Sequence, residues 1–172
     1  MGPPEKSGGV LPITTARPWW EHAGLRAVDG RLRIAGRDAE ELAREHGTPL
    51  YVYDLTRIGE NVRALRDALA GSGVAFRIRA ALKAQRKPPV LARFRAFGSP
   101  GSAESIGLDV CSSGEVEHGL AHGFLPSEIS YTGTNLSERD LDVILRHCGH
   151  VNLDLISQIH RYGRRGPRSG CG

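Results

Sequence analysis

The pattern of apolar and polar residues predicts short strands that alternate with helices along most of the chain. Apolar runs such as 50–53 and 74–82 are bounded by Gly or Pro and are rich in residues that favour strands. Segments with apolar residues at every third or fourth position lie between such runs and predict helices. The strands of the later part are predicted to end at four positions: Lys83, Cys111, Thr132 and Asp154.

The spacing between these predicted strand ends is roughly 21 to 28 residues. Strand–helix units of that length indicate an α/β fold with a parallel sheet and right-handed crossovers. Two architectures fit, a complete small doubly wound sheet or the first four or so units of a (β/α)8 TIM-type barrel. The sequence after Tyr162, GRRGPRSGCG, shows no hydrophobic periodicity. It favours the second architecture, a partial barrel that is truncated, naturally or by a frame change near residue 164.

The part of the chain before the repeating units predicts a hairpin and one compact helix. Asp29-Gly30 is a turn signal within 24–36, and Asp38 opens a helix that Gly47 is placed to end. Three regions follow: an N-terminal extension with a hairpin at 1–36, a partial barrel domain at 37–164 and an irregular tail at 165–172.

Polar residues at the predicted helix starts fit capping positions. Ser112 or Ser113 can cap the helix after the second of these strands. Ser137 and Asp140 have the spacing of a capping box for the helix after the third.

Composition narrows the classes of function. The net charge is +4 and the arginines are scattered, which does not favour a nucleic-acid partner. No apolar run approaches the roughly 18 residues of a membrane span, and the N-terminus lacks the apolar core of a signal peptide. The cysteines Cys111, Cys148 and Cys171 suit neither a disulfide framework nor a zinc site. A cytoplasmic protein without a metal is therefore predicted.

Lysine is rare in this chain. It occurs only at Lys6, Lys83 and Lys87, and every other basic residue is arginine. Unlike arginine, a lysine can lose its proton and form a Schiff base, and Lys83 directly follows an apolar run that is expected to desolvate it partly. The alternative is a solvated lysine at a strand end.

Two acids and two histidines lie near the predicted strand ends. Asp109 falls inside a short apolar strand, where a carboxylate needs a partner, whereas the helix dipole alone explains Glu115 in a first helical turn. His118 and His122 are four residues apart, but the glutamate of a zinc-protease motif is absent between them. The two histidines are interpreted as surface residues.

Four segments in order, RAALKAQ, GLDVCSSGEVEHGL, ISYTGTNLSERDL and VNLDLISQI, resemble the pyridoxal-phosphate decarboxylases of the alanine-racemase-like barrel fold. Within that family they are most similar to the diaminopimelate decarboxylases. The resemblance covers roughly residues 19–164 and implies pyridoxal phosphate as cofactor and a small amino-acid substrate, in lysine biosynthesis. By position, Lys83 matches the catalytic lysine that links to the cofactor, Asp109 an acid close to the cofactor, and Glu115 a glutamate that supports the site. Family members are homodimers.

The match departs from the family in two ways. The motif around the lysine has Ala80 in place of a tyrosine and Gln85 in place of an asparagine. The family's ring-facing histidine, glycine-rich phosphate loop and ring-nitrogen glutamate come from later strands and have no counterpart in residues 1–172. A half-barrel is expected to leave an apolar interior uncovered. Two other hypotheses are a non-catalytic fragment or pseudoenzyme that pairs with another chain, and a small complete protein that only binds the cofactor.

Overall fold

The computed structural model describes residues 18–134 and 136–165. The chain forms two compact units, the first ending at Asp54 and the second beginning at Leu55. Within the described residues, no helix combines the length and the apolar character that crossing a membrane requires. Lys6, Cys171 and all of the predicted tail except its first residue lie outside the described part.

The described residues of the first unit, 18–54, form a three-stranded antiparallel sheet and one helix. Its elements are β1 (Leu25–Val28), β2 (Arg31–Ile34), β3 (Arg37–Asp38) and α1 (Ala39–His46). Asp29 and Gly30 both have positive φ, 50° and 74°, as a two-residue hairpin turn of type I′ requires. The predicted hairpin is confirmed, and so is the helix α1, with Asp38 as its N-cap and Gly47 as its C-cap.

Asp38 joins the sheet of the first unit to α1. One oxygen of its carboxylate accepts from the amides of Glu40 and Glu41 at 2.9 and 3.2 Å, and the other lies 2.5 Å from Arg31 Nε. Contact with the Arg31 guanidinium, helped by the two amides, lowers the pKa of Asp38 to about 2 against the effect of desolvation.

Replacing Asp38 with alanine is expected to unfold α1 more readily, because the cap and the Arg31 ion pair are lost together. Since the pKa of Asp38 is lowered, its contribution is present above the ordinary carboxyl range and is lost as the pH falls through about 2. Hydrogen exchange of the 39–46 amides should therefore accelerate at neutral pH in the variant. Exposed Glu41 supplies the control Glu41→Ala; equal acceleration in both variants would contradict this role of Asp38.

The second unit contains a parallel sheet and the remaining helices. Its elements in chain order are α2 (Leu55–Ala70), β4 (Arg79–Ala81), α3 (Pro88–Arg95), β5 (Gly107–Val110), α4 (Ser113–Ala121), β6 (Ile129–Thr132), α5 (Glu138–His147), β7 (His150–Asn152) and α6 (Ile156–Arg165). Ser112 is the cap of α4, with its oxygen accepting from the Glu115 amide at 3.2 Å, and Ser137 and Asp140 form the predicted capping box of α5.

The order of the strands distinguishes the two architectures. The sheet runs β4-β5-β6-β7, and each strand pairs in parallel with the next strand in the chain. A doubly wound sheet reverses its strand order at a switch point and carries helices on both faces, whereas a barrel adds each new strand beside the last. The sequential order within the described residues is that of a barrel.

The two faces of this sheet differ in character. The helix-facing side carries Leu108, Val110, Ile129 and Tyr131, which are at most 1% exposed and pack with residues of α4 and α5 such as Val116 and Ile144. By strand alternation and register, the opposite face carries small and polar side chains: Arg79, Ala81, Gly107, Asp109, Ser130, Thr132, His150 and Asn152. The expectation of an uncovered apolar interior was therefore wrong.

Two predicted strands differ from the structure. Residues 50–53 form no strand, and Tyr51 is 84% exposed. The β-favouring residues there lack a neighbouring strand within the described residues, and propensity alone does not make a ladder. Of the predicted strand 74–82, only β4 pairs, because the register with β5 begins at Arg79 and Gly107.

Candidate active site

Lys83 and Asp109 both lie near the carboxyl ends of the adjacent strands β4 and β5. Ala81 pairs with Asp109, and the Leu82 amide donates to the Asp109 carbonyl at 2.9 Å, so Lys83 begins just beyond Asp109. The Lys83 side chain is exposed. The partial desolvation expected for it is therefore not supplied by the described residues, because its apolar predecessor Leu82 points into the core, where it is fully buried.

Glu115 lies against the turn between β5 and α4. Its Oε2 accepts from the Cys111 amide at 2.8 Å and lies 3.4 Å from Cys111 Sγ. Glu115 thus fixes the backbone where the strand passes into the helix, which is more than the helix dipole alone implies.

The pKa of the Cys111 thiol depends on the charges around it. Burial raises the pKa of Cys111, the neighbouring Glu115 raises it further, and the positive charge of Lys83 acts in the opposite direction. The strand register and the Glu115–Cys111 hydrogen bond place Lys83, Cys111 and Glu115 at the same end of the sheet.

The carboxylate of Asp109 is held from the neighbouring strands. The Thr132 hydroxyl donates to Asp109 Oδ1 at 3.1 Å, and Asn152 Nδ2 donates to Thr132 Oγ1 at 2.9 Å. Sequence analysis identified Thr132 as the end of a predicted strand. It missed Asn152, because the strand that contains Asn152 was predicted to continue to Asp154. The signal that identifies Asn152 is its register opposite Thr132.

A shallow cavity of about 260 Å³ adjoins Glu115 and is lined by Arg86, Ser112, Gly114 and His118 as well. His118 Nε2 lies 3.1 Å from the Arg86 carbonyl, and His122 Nδ1 lies 2.8 Å from the His118 carbonyl. Both rings thus bond to main-chain groups. In the part of the chain that the structure describes, no group of three or more His, Cys, Asp or Glu residues is placed to hold a metal ion.

Comparison with known proteins gives consistent matches. No protein-family model matches the chain. Diaminopimelate decarboxylase of Methanothermobacter thermautotrophicus is 41% identical over 138 residues, which cover 80% of this chain and 31% of that protein. The Bacillus subtilis enzyme of the same name is 34% identical over 131 residues, 76% of this chain and 28% of its own length.

Solved structures agree with the sequence matches. Diaminopimelate decarboxylase from m. jannaschii in co-complex with L-lysine superposes with a TM-score of 0.68 at 25% identity, over 83% of this chain and 32% of that chain. The Helicobacter pylori enzyme complexed with L-lysine superposes with a TM-score of 0.61 at 27% identity, over 72% of this chain and 29% of that chain. This chain is thus similar over about 80% of its length to diaminopimelate decarboxylases, and its structural neighbours are pyridoxal-phosphate-dependent decarboxylases of fold type III.

These matches confirm the resemblance and the partial barrel. The structural neighbours are TIM-barrel decarboxylases, and the sequential parallel sheet of the second unit corresponds to part of such a barrel. The chain spans between 28% and 31% of the length of the curated relatives named above.

The two departures from the family motif occupy different environments. Ala80 lies on the helix-facing side of β4 and packs against both hydrophobic clusters of the second unit, away from the face that carries Asp109. Gln85 Oε1 accepts from the Lys87 amide at 2.9 Å and so closes the turn that follows Lys83. The change at Ala80 therefore affects packing behind the sheet, and the change at Gln85 affects the loop that carries the lysine.

Proposed function

We propose that this chain provides the lysine-bearing part of the active site of a pyridoxal-phosphate-dependent amino-acid decarboxylase. The observation that carries the proposal is the convergence of Lys83, Asp109 and Glu115 at the carboxyl ends of adjacent parallel strands. In barrels of this class, functional groups gather at that end of the sheet.

The donor set fits the cofactor. An exposed lysine amine is available for a covalent link to an aldehyde, and a carboxylate held by a hydroxyl stands on the neighbouring strand. Lys83 would hold the group, Asp109 would orient it from the adjacent strand, and Glu115 would keep the turn at Cys111 in place. When bound, pyridoxal phosphate supplies a ring that takes up the charge left by departing carbon dioxide.

The substrate we propose is a small diamino acid, 2,6-diaminopimelate, as in lysine biosynthesis. Support comes from the names of the relatives, which are diaminopimelate decarboxylases, and from neighbours solved with L-lysine. The chain spans about 30% of the length of those relatives, so the decarboxylase activity of the whole protein is itself part of the proposal.

The test is release of carbon dioxide from 2,6-diaminopimelate by the purified chain with added pyridoxal phosphate. We expect release that Lys83→Arg reduces to the background of cofactor alone, because a guanidinium keeps the positive charge but cannot form the link. Equal release by both proteins would contradict the proposal.

A second candidate is binding of the cofactor without decarboxylation. The exposure of Lys83 favours it, since the described residues do not exclude water from the amine. A covalent adduct on Lys83 without release of carbon dioxide would support this candidate over the first.

A further inference from the structure

Three polar side chains form a hydrogen-bonded row across the open face of the sheet. Asn152 on β7 donates to Thr132 on β6 at 2.9 Å, and Thr132 donates to Asp109 on β5 at 3.1 Å. The register places Thr132 directly opposite Asn152 and two positions beyond Ser130, the partner of Asp109. The row therefore connects three adjacent strands at their carboxyl ends.

The row has a direction. The Thr132 hydroxyl has one proton, and because its oxygen receives the Asn152 amide, that proton is directed at the carboxylate. Both bonds thus donate towards Asp109, and a chain of bonds with one sense strengthens each member. Within residues 18–134 and 136–165, the structure gives a donor to Oδ1 of Asp109 and none to Oδ2.

The row is not explained by the stability of the core. Thr132 and Asn152 are both exposed, and the side chains that bury the sheet lie on its other face. Hydrogen bonds between exposed groups exchange readily with water and stabilise a fold little. Their arrangement around one carboxylate beside Lys83 points to a role in orienting that carboxylate.

We propose that Thr132 and Asn152 are positioning residues, which fix the Asp109 carboxylate so that its second oxygen faces the group held at Lys83. This inference rests on the proposed function. Neither residue is placed against the cofactor; each acts through Asp109. Fixing a carboxylate in advance avoids the loss of rotational freedom when the cofactor binds.

The test uses the full chain and measures the apparent dissociation constant of pyridoxal phosphate from the absorbance of its covalent adduct. Thr132→Val keeps the shape and removes the donor, and Asn152→Leu removes the amide. We expect each to raise the constant about five-fold, as loss of one net hydrogen bond implies, while Thr132→Ser restores the wild-type value. Asn61→Leu, at an exposed position of α2, is the matched control and should change nothing.

A further readout separates positioning from damage to the fold. The urea midpoint of unfolding should be the same in wild type, Thr132→Val and Thr132→Ser.

The outcomes are distinguishable. An adduct that forms equally well in wild type and Thr132→Val, or one that Thr132→Ser fails to restore, overturns this inference alone. A wild-type chain that forms no adduct at Lys83 overturns the proposed function and this inference with it.

Discussion

Replacing Lys83 with alanine is expected to abolish the covalent adduct between this chain and pyridoxal phosphate. Lys83 and Lys87 are the lysines of the described residues, and of the two Lys83 lies nearer the end of β4, two residues after Ala81, the partner of Asp109. Alanine removes the amine, and no arginine nearby replaces it, because a guanidinium does not lose its proton near neutral pH. Absorbance of the adduct should fall to the level of the free cofactor.

Lys87→Ala is the matched control for Lys83→Ala. Lys87 is exposed and precedes α3, where its backbone forms the helix cap without a side-chain hydrogen bond. Its replacement should leave the adduct at wild-type level. If both variants lost the adduct to the same extent, or if Lys83→Ala kept it, the assignment of Lys83 would be wrong.

Replacing Glu128 with alanine is expected to destabilise the second unit more than any surface change. Glu128 is fully buried, and its carboxylate accepts from the Gly101 and Leu125 amides and from Arg95, each at 2.9 Å. Its removal leaves the two amides without this acceptor and leaves the Arg95 guanidinium, which is only 20% exposed, without its ion-pair partner. We expect a loss of about 3 kcal/mol in the free energy of unfolding, the lower part of the range for breaking a buried ion pair.

The pH dependence of this effect has a definite sign. Burial raises the pKa of Glu128, but the amides of Gly101 and Leu125, with Ser105 and Arg95, outweigh it and hold the pKa below its ordinary value. The stabilisation is therefore present above about pH 4.3, the usual value for an unfolded glutamate, and is lost as the pH falls through the lower folded value. Urea unfolding of wild type and Glu128→Ala should converge in acid.

Glu117→Ala provides the comparison for Glu128→Ala. Glu117 is exposed on α4, and its loss should change the free energy of unfolding by less than about 0.5 kcal/mol. Similar urea midpoints for the two variants at neutral pH would show that the buried carboxylate of Glu128 does not hold this part of the fold.

Features that depend on neighbours in sequence were predictable. The turn at Asp29-Gly30 and the capping box of Ser137 and Asp140 follow from residues a few positions apart, and the structure contains both. The order of strands and helices in the second unit follows from periodicity, because each element buries one face. The positions of Lys83 and Asp109 relative to the strands could also be predicted, since Lys83 ends one predicted strand and Asp109 lies in the next.

Features that depend on register were not predictable. Asn152 reaches the site through Thr132, 20 residues away. A shift of one residue in β6 or β7 would move one of these side chains to the other face of the sheet, and no local pattern specifies that shift. The polar character of the open face could be recognised only once the register of each of the four strands with its neighbour was known.

The measurement that tests the central claim most directly is reduction of the chain with borohydride after addition of pyridoxal phosphate, followed by peptide mass spectrometry. The sequence offers three lysines, Lys6, Lys83 and Lys87, so the adduct can be assigned without ambiguity. A single adduct on Lys83 is the result we predict. Labelling spread over all three lysines and the N-terminus would contradict it, because it would show that the carboxyl ends of β4 and β5 do not form a cofactor site.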